Sequence, residues 1–444
     1  MSAVKLPLKF HLITYGCQMN KNDSERIESL LLSAGLSPAL NYEDSDLILL
    51  NTCSIRQTAE DRVFGQLRNF AKLKSKKPGL ILGVTGCMPG RDKMGMIRNK
   101  LPMVDLFFPI SQITNLPRWI SELNPEFTNS QELEEDYLKI NPHFVPKKQA
   151  FVTISSGCNN FCTFCVVPFS RGREKSRAFR DIMEEIHHLR ENGAVEITLL
   201  GQNVNTYRPL DIEHFSSQNP FKDPFAALLW EINQIPEIKR IHFTAPNPQD
   251  MSDEVILALG LPNHINYLHL PVQAGSEKVL RKMNRRYTLE RYLEIIEKVK
   301  KIRPTIALGT DIIVGFPGET EEDFMETIEL YKKVAFDISY TAMYSARSGT
   351  AAFTAFKDDV PHSEKKRRWN FMQDMMEETT LRKNQKYVGQ TVEVLVDKYE
   401  DGLCEGNSRE FKRVLFPSDQ SLTGQIINVE IELALTWILQ GKTE

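Results

Sequence analysis

Short apolar runs alternate with longer amphipathic stretches over the first 110 residues. The apolar runs are F-H-L-I-T-Y, D-L-I-L-L-N-T, L-I-L-G-V-T-G and V-D-L-F-F-P, and each has the composition of a short strand. After the first run, a helical pattern is predicted to have Ser24 as its N-cap and Gly35 as its terminator. This alternation is typical of a parallel sheet covered by helices.

A second alternating series begins at A-F-V-T-I and continues for about 200 residues. Amphipathic helical stretches separate its strand-like runs, and the last helix opens with the capping-box pattern Thr320-x-x-Asp323. Six strand-helix units predict an incomplete α/β barrel, with its active site at the carboxyl ends of the strands. The predicted strands are 150–154, 196–200, 240–244, 266–272, 306–314 and 336–343.

The last part of the chain has a different period. From about residue 386, T-V-E-V-L-V-D and I-N-V-E-I-E-L alternate with period two, and glycines supply turns between them. We therefore predict a small C-terminal β-barrel. The predicted organisation is an N-terminal domain (1–121), a linker (122–147), a central barrel (148–385) and the C-terminal barrel (386–444).

Composition and charge place the chain among ordinary globular proteins. The 444 residues are 41% hydrophobic with a net charge of −3, and no uncharged apolar run is long enough to span a membrane. The N-terminus resembles no secretory signal, so we expect a cytoplasmic protein with reduced thiols. Basic clusters at 72–77, 171–177, 281–286 and 365–368 are compatible with phosphate contact or with solvated surface.

Three of the seven cysteines follow predicted strands of the N-terminal sheet. Cys17, Cys53 and Cys87 each come directly after such a strand, two of them as Gly-Cys. Because parallel strands end at the same edge of a sheet, these thiols are expected to lie close together. The pattern predicts a shared metal site, and thiolate ligands suit zinc or an iron–sulfur cluster.

Three further cysteines follow the first predicted barrel strand. Cys158, Cys162 and Cys165 have the spacing C-x3-C-x2-C, with no fourth cysteine or suitably spaced histidine. A structural zinc site normally has four protein ligands. The spacing therefore favours a four-iron cluster held through three irons, whose fourth iron is open to another ligand.

These motifs together resemble the radical S-adenosylmethionine (SAM) superfamily and, within it, the methylthiotransferase family. The resemblance covers nearly the whole chain, through Y-G-C-Q-M-N, L-N-T-C-S-I-R, V-T-G-C, C-V-V-P-F-S-R-G-R-E, L-L-G-Q-N-V-N, L-H-L-P-V-Q-A-G-S, M-N-R-R-Y and D-I-I-V-G-F-P-G-E-T. It implies a Rossmann-like N-terminal domain, a partial (β/α)6 radical-SAM barrel and a C-terminal RNA-binding TRAM domain. It also implies two 4Fe-4S clusters, one on each cysteine trio.

The branch of the family that the motifs resemble acts on tRNA. It methylthiolates C2 of N6-isopentenyladenosine beside the anticodon, using two SAM molecules. The branches acting on threonylcarbamoyl-adenosine tRNA and on a ribosomal protein side chain remain alternatives, as does a non-catalytic iron–sulfur RNA-binding protein. The expected partners are tRNA and a reducing electron donor of the flavodoxin or ferredoxin type, with a monomeric enzyme and no membrane.

The resemblance also suggests individual contacts. The expected SAM contacts are Phe164, Gln202, Asn203, Gln273, Ser276 and Gly315. Arg171, Arg173 and Arg177 are the candidates for tRNA phosphate, because a target base must leave the anticodon stack to reach the barrel mouth.

Two positions depart from the family pattern. Asn247 stands where a histidine is common, and Gly406-Asn407-Ser408 stands where relatives have Gly-Arg-Thr. We expect the nearby Arg409, Lys412 and Arg413 to supply RNA contacts instead.

Overall fold

The computed structural model describes residues 7–54, 57–127, 136–144 and 148–443, with backbone alone at 57–59. Part of the predicted linker, 128–135 and 145–147, lies outside these described residues. Within the described ranges, no helix has the length and apolar character needed to cross a membrane.

The N-terminal domain is a five-stranded sheet whose paired strands all run parallel, as predicted. The spatial order of its strands is β2-β1-β3-β4-β5, and apolar clusters lie on both faces. Its strands are β1 (Lys9–Tyr15), β2 (Ser37–Pro38), β3 (Leu47–Thr52), β4 (Ile81–Gly86) and β5 (Leu106–Phe107). Its helices are α1 (Gln18–Ser33), α2 (Gln57–Lys76), α3 (Cys87–Arg91) and α4 (Leu116–Leu123).

The prediction of Ser24 as the N-cap of α1 is wrong. The N-cap is Cys17, seven residues earlier, and Asn20 Oδ1 accepts the backbone N–H of Cys17 at 3.4 Å. Ser24 lies inside the helix, where its hydroxyl contacts that of Thr14 at 2.7 Å. The predicted terminator is correct, since Gly35 follows the helix with φ +87°.

The central domain is the predicted partial barrel of six parallel strands. Two three-stranded sheets, ordered β10-β9-β6 and β11-β12-β13, are connected by a parallel bridge between Ile241 and His264. The barrel strands are β6 (Gln149–Thr153), β9 (Glu196–Leu200), β10 (Arg240–Phe243), β11 (Tyr267–His269), β12 (Ala307–Val314) and β13 (Ile338–Met343). A separate antiparallel pair, β7 (Ser155–Ser156) and β8 (Lys175–Ser176), follows β6 in the chain.

Helices pack around the barrel and bury its outward-facing aliphatic side chains in the largest core of the protein. The helix that begins after Thr320 has the predicted capping box with Asp323. The helices are α5 (Val167–Ser170), α6 (Phe179–Glu191), α7 (Pro224–Asn233), α8 (Asp253–Ala258), α9 (Glu277–Lys282), α10 (Leu289–Ile302), α11 (Glu321–Val334), α12 (Ala351–Ala355) and α13 (His362–Asn384).

The C-terminal domain is a closed five-stranded barrel, as predicted. Its strand order is β14-β15-β16-β18-β17, and the thiol of Cys404 is buried in its apolar core. The strands are β14 (Thr391–Glu400), β15 (Leu403–Ser408), β16 (Arg413–Pro417), β17 (Ile426–Ala434) and β18 (Leu439–Thr443).

The loop between β15 and β16 docks this small barrel on the amino-terminal end of the central one. Phe411 lies on Tyr267, the first residue of β11, with ring centroids 5.1 Å apart and an interplanar angle of 15°. The ring of His242 lies 5.2 Å from the same phenylalanine. Phe411 thus covers part of the barrel end opposite the predicted active site.

Two of the three basic residues expected to contact RNA take part in this docking. Arg409 donates to the backbone carbonyls of Pro262 and His264, and Lys412 pairs with Asp337 at 3.3 Å. Arg413 pairs with acidic side chains of its own barrel. The structure argues against RNA contact by Lys412, whose side chain is buried in the domain contact. The side chains of Arg409 and Arg413 are partly exposed, and RNA contact by these two residues stays a prediction.

Candidate active site

The second cysteine trio lies on one closed loop at the carboxyl end of β6. The short strands β7 and β8 pair antiparallel at the base of the loop, and Cys158 N–H donates to the carbonyl of Gly172. Gly157 has φ +85°, and a Cβ there would lie 2.1 Å from the carbonyl oxygen of Arg173. Glycine is therefore required where the chain turns into the cysteine motif.

The three thiols of this loop are close enough to influence one another. Burial raises the pKa of the Cys165 thiol to about 12, and the charge of Cys162 acts in the same direction. Burial likewise raises the pKa of Cys158. Bound iron ions would offset this cost of forming a buried thiolate, because a coordinated thiol is deprotonated.

A segment after α9 supports the loop from the barrel side. Arg285 Nη1 lies 3.6 Å from Cys162 Sγ, and Asn284 Nδ2 donates to the carbonyls of Asn160 and Phe161 at 3.1 Å. These contacts give M-N-R-R a local role that the sequence alone did not reveal. Hydrogen bonds to ligand sulfur are a recognised way of tuning an iron–sulfur cluster.

The first trio lies at one edge of the N-terminal sheet, as predicted. The register pairs Tyr15 with Thr52 and Thr52 with Gly86, so β1, β3 and β4 end side by side, immediately before the cysteines. Cys53 and Cys87 are buried, whereas Cys17 is exposed. The expectation that parallel strands bring these three positions together is met by the strand order.

Two asparagines within the motifs organise this edge. Asn20 Oδ1 lies 3.4 Å from Cys17 Sγ, and Asn20 Nδ2 donates to Asn51 Oδ1 at 3.1 Å. Asn51 Nδ2 in turn donates to the carbonyl of Asn20 at 2.8 Å. Sequence reasoning missed both residues, although each lies within three positions of a motif cysteine.

A buried ion cluster surrounds Ser54, next to Cys53. Arg91 pairs with Glu60 at 2.8 Å and donates to Ser348 Oγ at 2.8 Å. Arg347 lies 3.8 Å from the same glutamate. The cluster connects the N-terminal domain to the segment after β13 and was not predicted from sequence.

The two cysteine regions are in direct contact. α3 begins with Cys87 and packs on α5, which begins two residues after Cys165. A Cβ on Gly90 would lie 2.1 Å from the backbone oxygen of Ser170. Only glycine permits this close approach of the segment after Cys87 to the segment after Cys165.

The donor sets suit iron–sulfur clusters better than single metal ions. Each trio consists of cysteine thiols alone, the ligands that such clusters prefer. The all-thiol composition of both trios therefore fits the clusters implied by the sequence resemblance.

Gln202 and Asn203 follow β9 and lie against the cysteine loop. Gln202 Oε1 accepts the backbone N–H of Gly157 at 2.5 Å, so this side chain positions the loop. Asn203 is buried and donates to Asp250 at 2.8 Å, while its Oδ1 has no hydrogen-bond partner in the described structure. SAM contact by these residues stays a prediction, and a free buried oxygen on Asn203 is compatible with it.

The other predicted SAM contacts have structural partners of their own. Phe164 packs in an apolar cluster beside the barrel, and Ser276 donates to Asp323 at 2.7 Å. Gln273 has φ +71° and bonds through its backbone to β12. A Cβ on Gly315 would collide with the Lys365 side chain. This contact explains the glycine at position 315 even if the residue does not touch SAM.

Only one of the three predicted tRNA contacts is exposed. Arg173 lies over the half-exposed ring of Phe161, 5.7 Å from its centroid. Arg171 pairs with Asp23, and Arg177 pairs with Glu185 at 2.6 Å, with all four side chains buried. The structure corrects the expectation for Arg171 and Arg177, because neither guanidinium group can reach an RNA phosphate from these positions.

The departure at Asn247 has a structural role. Its Oδ1 accepts the backbone N–H of Gln249, and its own backbone exchanges two hydrogen bonds with the Asn205 side chain. At Asn407, the backbone carbonyl accepts a bond from Arg240 across the domain contact.

Comparison with known families and proteins agrees with this architecture. Residues 152–331 match the Radical SAM superfamily, and residues 9–109 match Uncharacterized protein family UPF0004. The chain is 42% identical to the tRNA-2-methylthio-N(6)-dimethylallyladenosine synthase of Thermoanaerobacter sp. (strain X514), over 98% of this chain and 92% of that protein. It is 40% identical to the protein of the same name from Moorella thermoacetica, over 99% of each.

Solved structures share the fold at low sequence identity. The radical S-adenosylmethionine methyltransferase TsrM from Kitasatospora setae superposes with a TM-score of 0.55 at 11% identity, covering 78% of this chain and 75% of that chain. The cobalamin-dependent radical enzyme OxsB gives 0.53 at 12% identity, covering 84% and 56%.

Proposed function

The chain belongs to the family of tRNA-2-methylthio-N(6)-dimethylallyladenosine synthases, and from this premise we propose that it methylthiolates C2 of N6-isopentenyladenosine beside the tRNA anticodon. It is a radical SAM tRNA methylthiotransferase. An unactivated aromatic C–H bond offers no acid–base route at neutral pH, which is why radical chemistry is needed.

Each cysteine trio is proposed to hold one 4Fe-4S cluster. Cys158, Cys162 and Cys165 would hold the cluster that binds SAM, and Cys17, Cys53 and Cys87 would hold an auxiliary cluster. When bound, these groups supply SAM cleavage at the first site and the methylthio sulfur at the second, with two SAM molecules used per product. The all-thiol composition of both trios supports this assignment.

The contact between the two cysteine regions is the observation that carries the proposal. Gly90 lies against the backbone of Ser170, so the helix that starts at Cys87 packs on the helix that follows Cys165. This contact supports the proposal that the two clusters face one bound base. A reaction that takes hydrogen from a carbon and gives sulfur to the same carbon needs both groups within reach of one bound base. Two clusters with independent redox roles would not require the two cysteine regions to be in contact.

The protein's own residues are proposed to position these groups. Gln202 fixes the start of the cysteine loop through Gly157, and Arg285 approaches Cys162 from the barrel. Asn20 supports Cys17 on the facing domain. Asn203 remains our candidate for SAM contact, with Phe164, Gln273, Ser276 and Gly315 as further candidates.

The expected partners follow from the substrate. We propose that Arg173, exposed beside the cysteine loop, contacts tRNA phosphate while the target base leaves the anticodon stack. The electron donor is proposed to be a flavodoxin- or ferredoxin-type protein, and the enzyme to act as a monomer. Because the substrate is tRNA, we place the activity in the cytoplasm.

Mass spectrometry of tRNA nucleosides tests the proposal. Cells lacking the protein should accumulate N6-isopentenyladenosine and lose its 2-methylthio form. Complementation by the Cys17→Ala or Cys158→Ala variant should fail, whereas Cys404→Ala should restore the product. Cys404 is a matched control, because it is a buried cysteine remote from both motifs.

Release of 5′-deoxyadenosine separates the roles of the two trios. Reconstituted Cys53→Ala protein should still cleave SAM under dithionite but yield no methylthio product, whereas Cys162→Ala should do neither. Retention of the methylthio product in the Cys53→Ala protein would contradict the proposed auxiliary site. A reconstituted protein that never releases 5′-deoxyadenosine would instead support a non-catalytic iron–sulfur protein.

A further inference from the structure

A buried ion pair joins the two cysteine-bearing domains. Arg171 follows α5 in the barrel domain, and Asp23 lies in α1 of the N-terminal domain. Their side chains are 2% and 1% exposed, with Arg171 Nη2 and Asp23 Oδ2 2.5 Å apart. A pair so fully removed from water interacts strongly with any other charge nearby.

The third member of this group is Cys87, a proposed ligand of the auxiliary cluster. The contact between Gly90 and Ser170 brings the start of α3 beside Arg171. Arg171 directly follows Ser170, and Cys87 is the first residue of α3, three residues before Gly90. The buried Arg171–Asp23 pair therefore lies next to the start of α3, where Cys87 is located.

We propose that Arg171 and Asp23 set the electron affinity of the auxiliary cluster, with Arg171 raising its reduction potential and Asp23 lowering it. This inference rests on the proposed function, because it assumes that Cys17, Cys53 and Cys87 hold that cluster. Reduction adds one negative charge, which a neighbouring cation stabilises and a neighbouring anion destabilises. Both are positioning residues, since they act through the cluster and not on the substrate.

The arrangement places control of the N-terminal cluster in the barrel domain. Arg171 is six residues after Cys165, so one loop carries both a proposed ligand of the SAM-binding cluster and a charge buried beside the proposed auxiliary site.

A redox titration of the auxiliary cluster alone tests the proposal. The parent protein is the full chain with Cys158→Ala, Cys162→Ala and Cys165→Ala, reconstituted anaerobically with iron and sulfide. Dithionite supplies one electron per cluster in the presence of mediators, and electron paramagnetic resonance reports the reduced fraction. Iron content and ultraviolet–visible spectra establish how much cluster each variant holds.

The two single substitutions should shift the potential in opposite directions. Arg171→Gln should lower the ratio of reduced to oxidised cluster on the order of tenfold at fixed ambient potential, equivalent to about 59 mV for one electron. Asp23→Asn should raise that ratio by a similar factor. The Arg171→Gln/Asp23→Asn double variant should return toward the parent, and Arg171→Lys should shift less than Arg171→Gln.

A purely structural ion pair would behave differently. It would destabilise the domain contact in both single variants without opposite shifts in potential, and that result would overturn the proposal. Loss of the cluster from all variants, the double variant included, would assign the pair to structure alone and would also overturn it. Failure of the parent to take up iron at its remaining cysteines would instead contradict the proposed function.

Discussion

Gly90→Ala should separate hydrogen abstraction from sulfur transfer. The added Cβ would lie 2.1 Å from the carbonyl oxygen of Ser170, about 1.3 Å short of ordinary contact at 3.4 Å. Because the atoms that the Cβ would meet belong to the backbone of Ser170, no side-chain rotation can relieve the overlap, and α3 must move away from α5. A misplacement of about 1 Å at a reacting centre costs roughly 100-fold in rate.

The assay compares two products of the same reaction. We expect methylthiolated tRNA to form roughly 100-fold more slowly in Gly90→Ala, while release of 5′-deoxyadenosine continues at a near-normal rate. Iron content should be unchanged, because no cysteine is altered.

Gly79→Ala is the matched control. Gly79 belongs to the same domain, has open space where its Cβ would lie and has no left-handed backbone. An unchanged ratio of the two products in Gly90→Ala would refute the reasoning that the α3–α5 contact aligns the two trios.

Three further predictions concern docking, pH and RNA. Phe411→Ala should lower the free energy of unfolding by about 1–2 kcal/mol, because it removes the partly exposed ring stacked on Tyr267. Thermal unfolding measures this loss, with Trp437→Ala as the control variant. Burial raises the pKa of Glu196 from about 4.5 to about 7, so the free energy of unfolding should fall by about 3 kcal/mol as pH rises through that window. Denaturant titrations from pH 4.5 to 7.5 should show this fall in the parent protein and not in Glu196→Gln. Arg173→Ala should weaken tRNA binding and reduce the slope of log affinity against log salt concentration by about one. SAM cleavage measured without tRNA should not change. An unchanged slope would exclude this phosphate contact.

The strand pattern and the strand ends could be predicted from the sequence because they depend on local periodicity. Apolar runs defined the strands, and the rule that parallel strands share an edge placed Cys17, Cys53 and Cys87 side by side. The start of α1 could not be predicted in this way, because a cysteine is not among the usual N-cap residues and its capping depends on Asn20.

Charged residues were the weakest part of the sequence reading. Arg171 looked like a surface residue of a basic cluster, and its partner Asp23 is 148 positions away along the chain. Likewise, Lys412 of the C-terminal barrel forms its ion pair with Asp337 of the central domain, across the contact between the two barrels. Long-range pairing of this kind leaves no periodic signal, so burial of a charge becomes visible only in the folded protein.

The docking of Phe411 against Tyr267 has a consequence for truncation of the chain. A loop of the C-terminal barrel covers part of the end of the central barrel, opposite the cysteine loops. Deleting the C-terminal barrel would leave the rings of Tyr267 and His242 without this apolar cover and exposed to water. The truncated protein should therefore have a less stable central barrel, in addition to lacking the small domain.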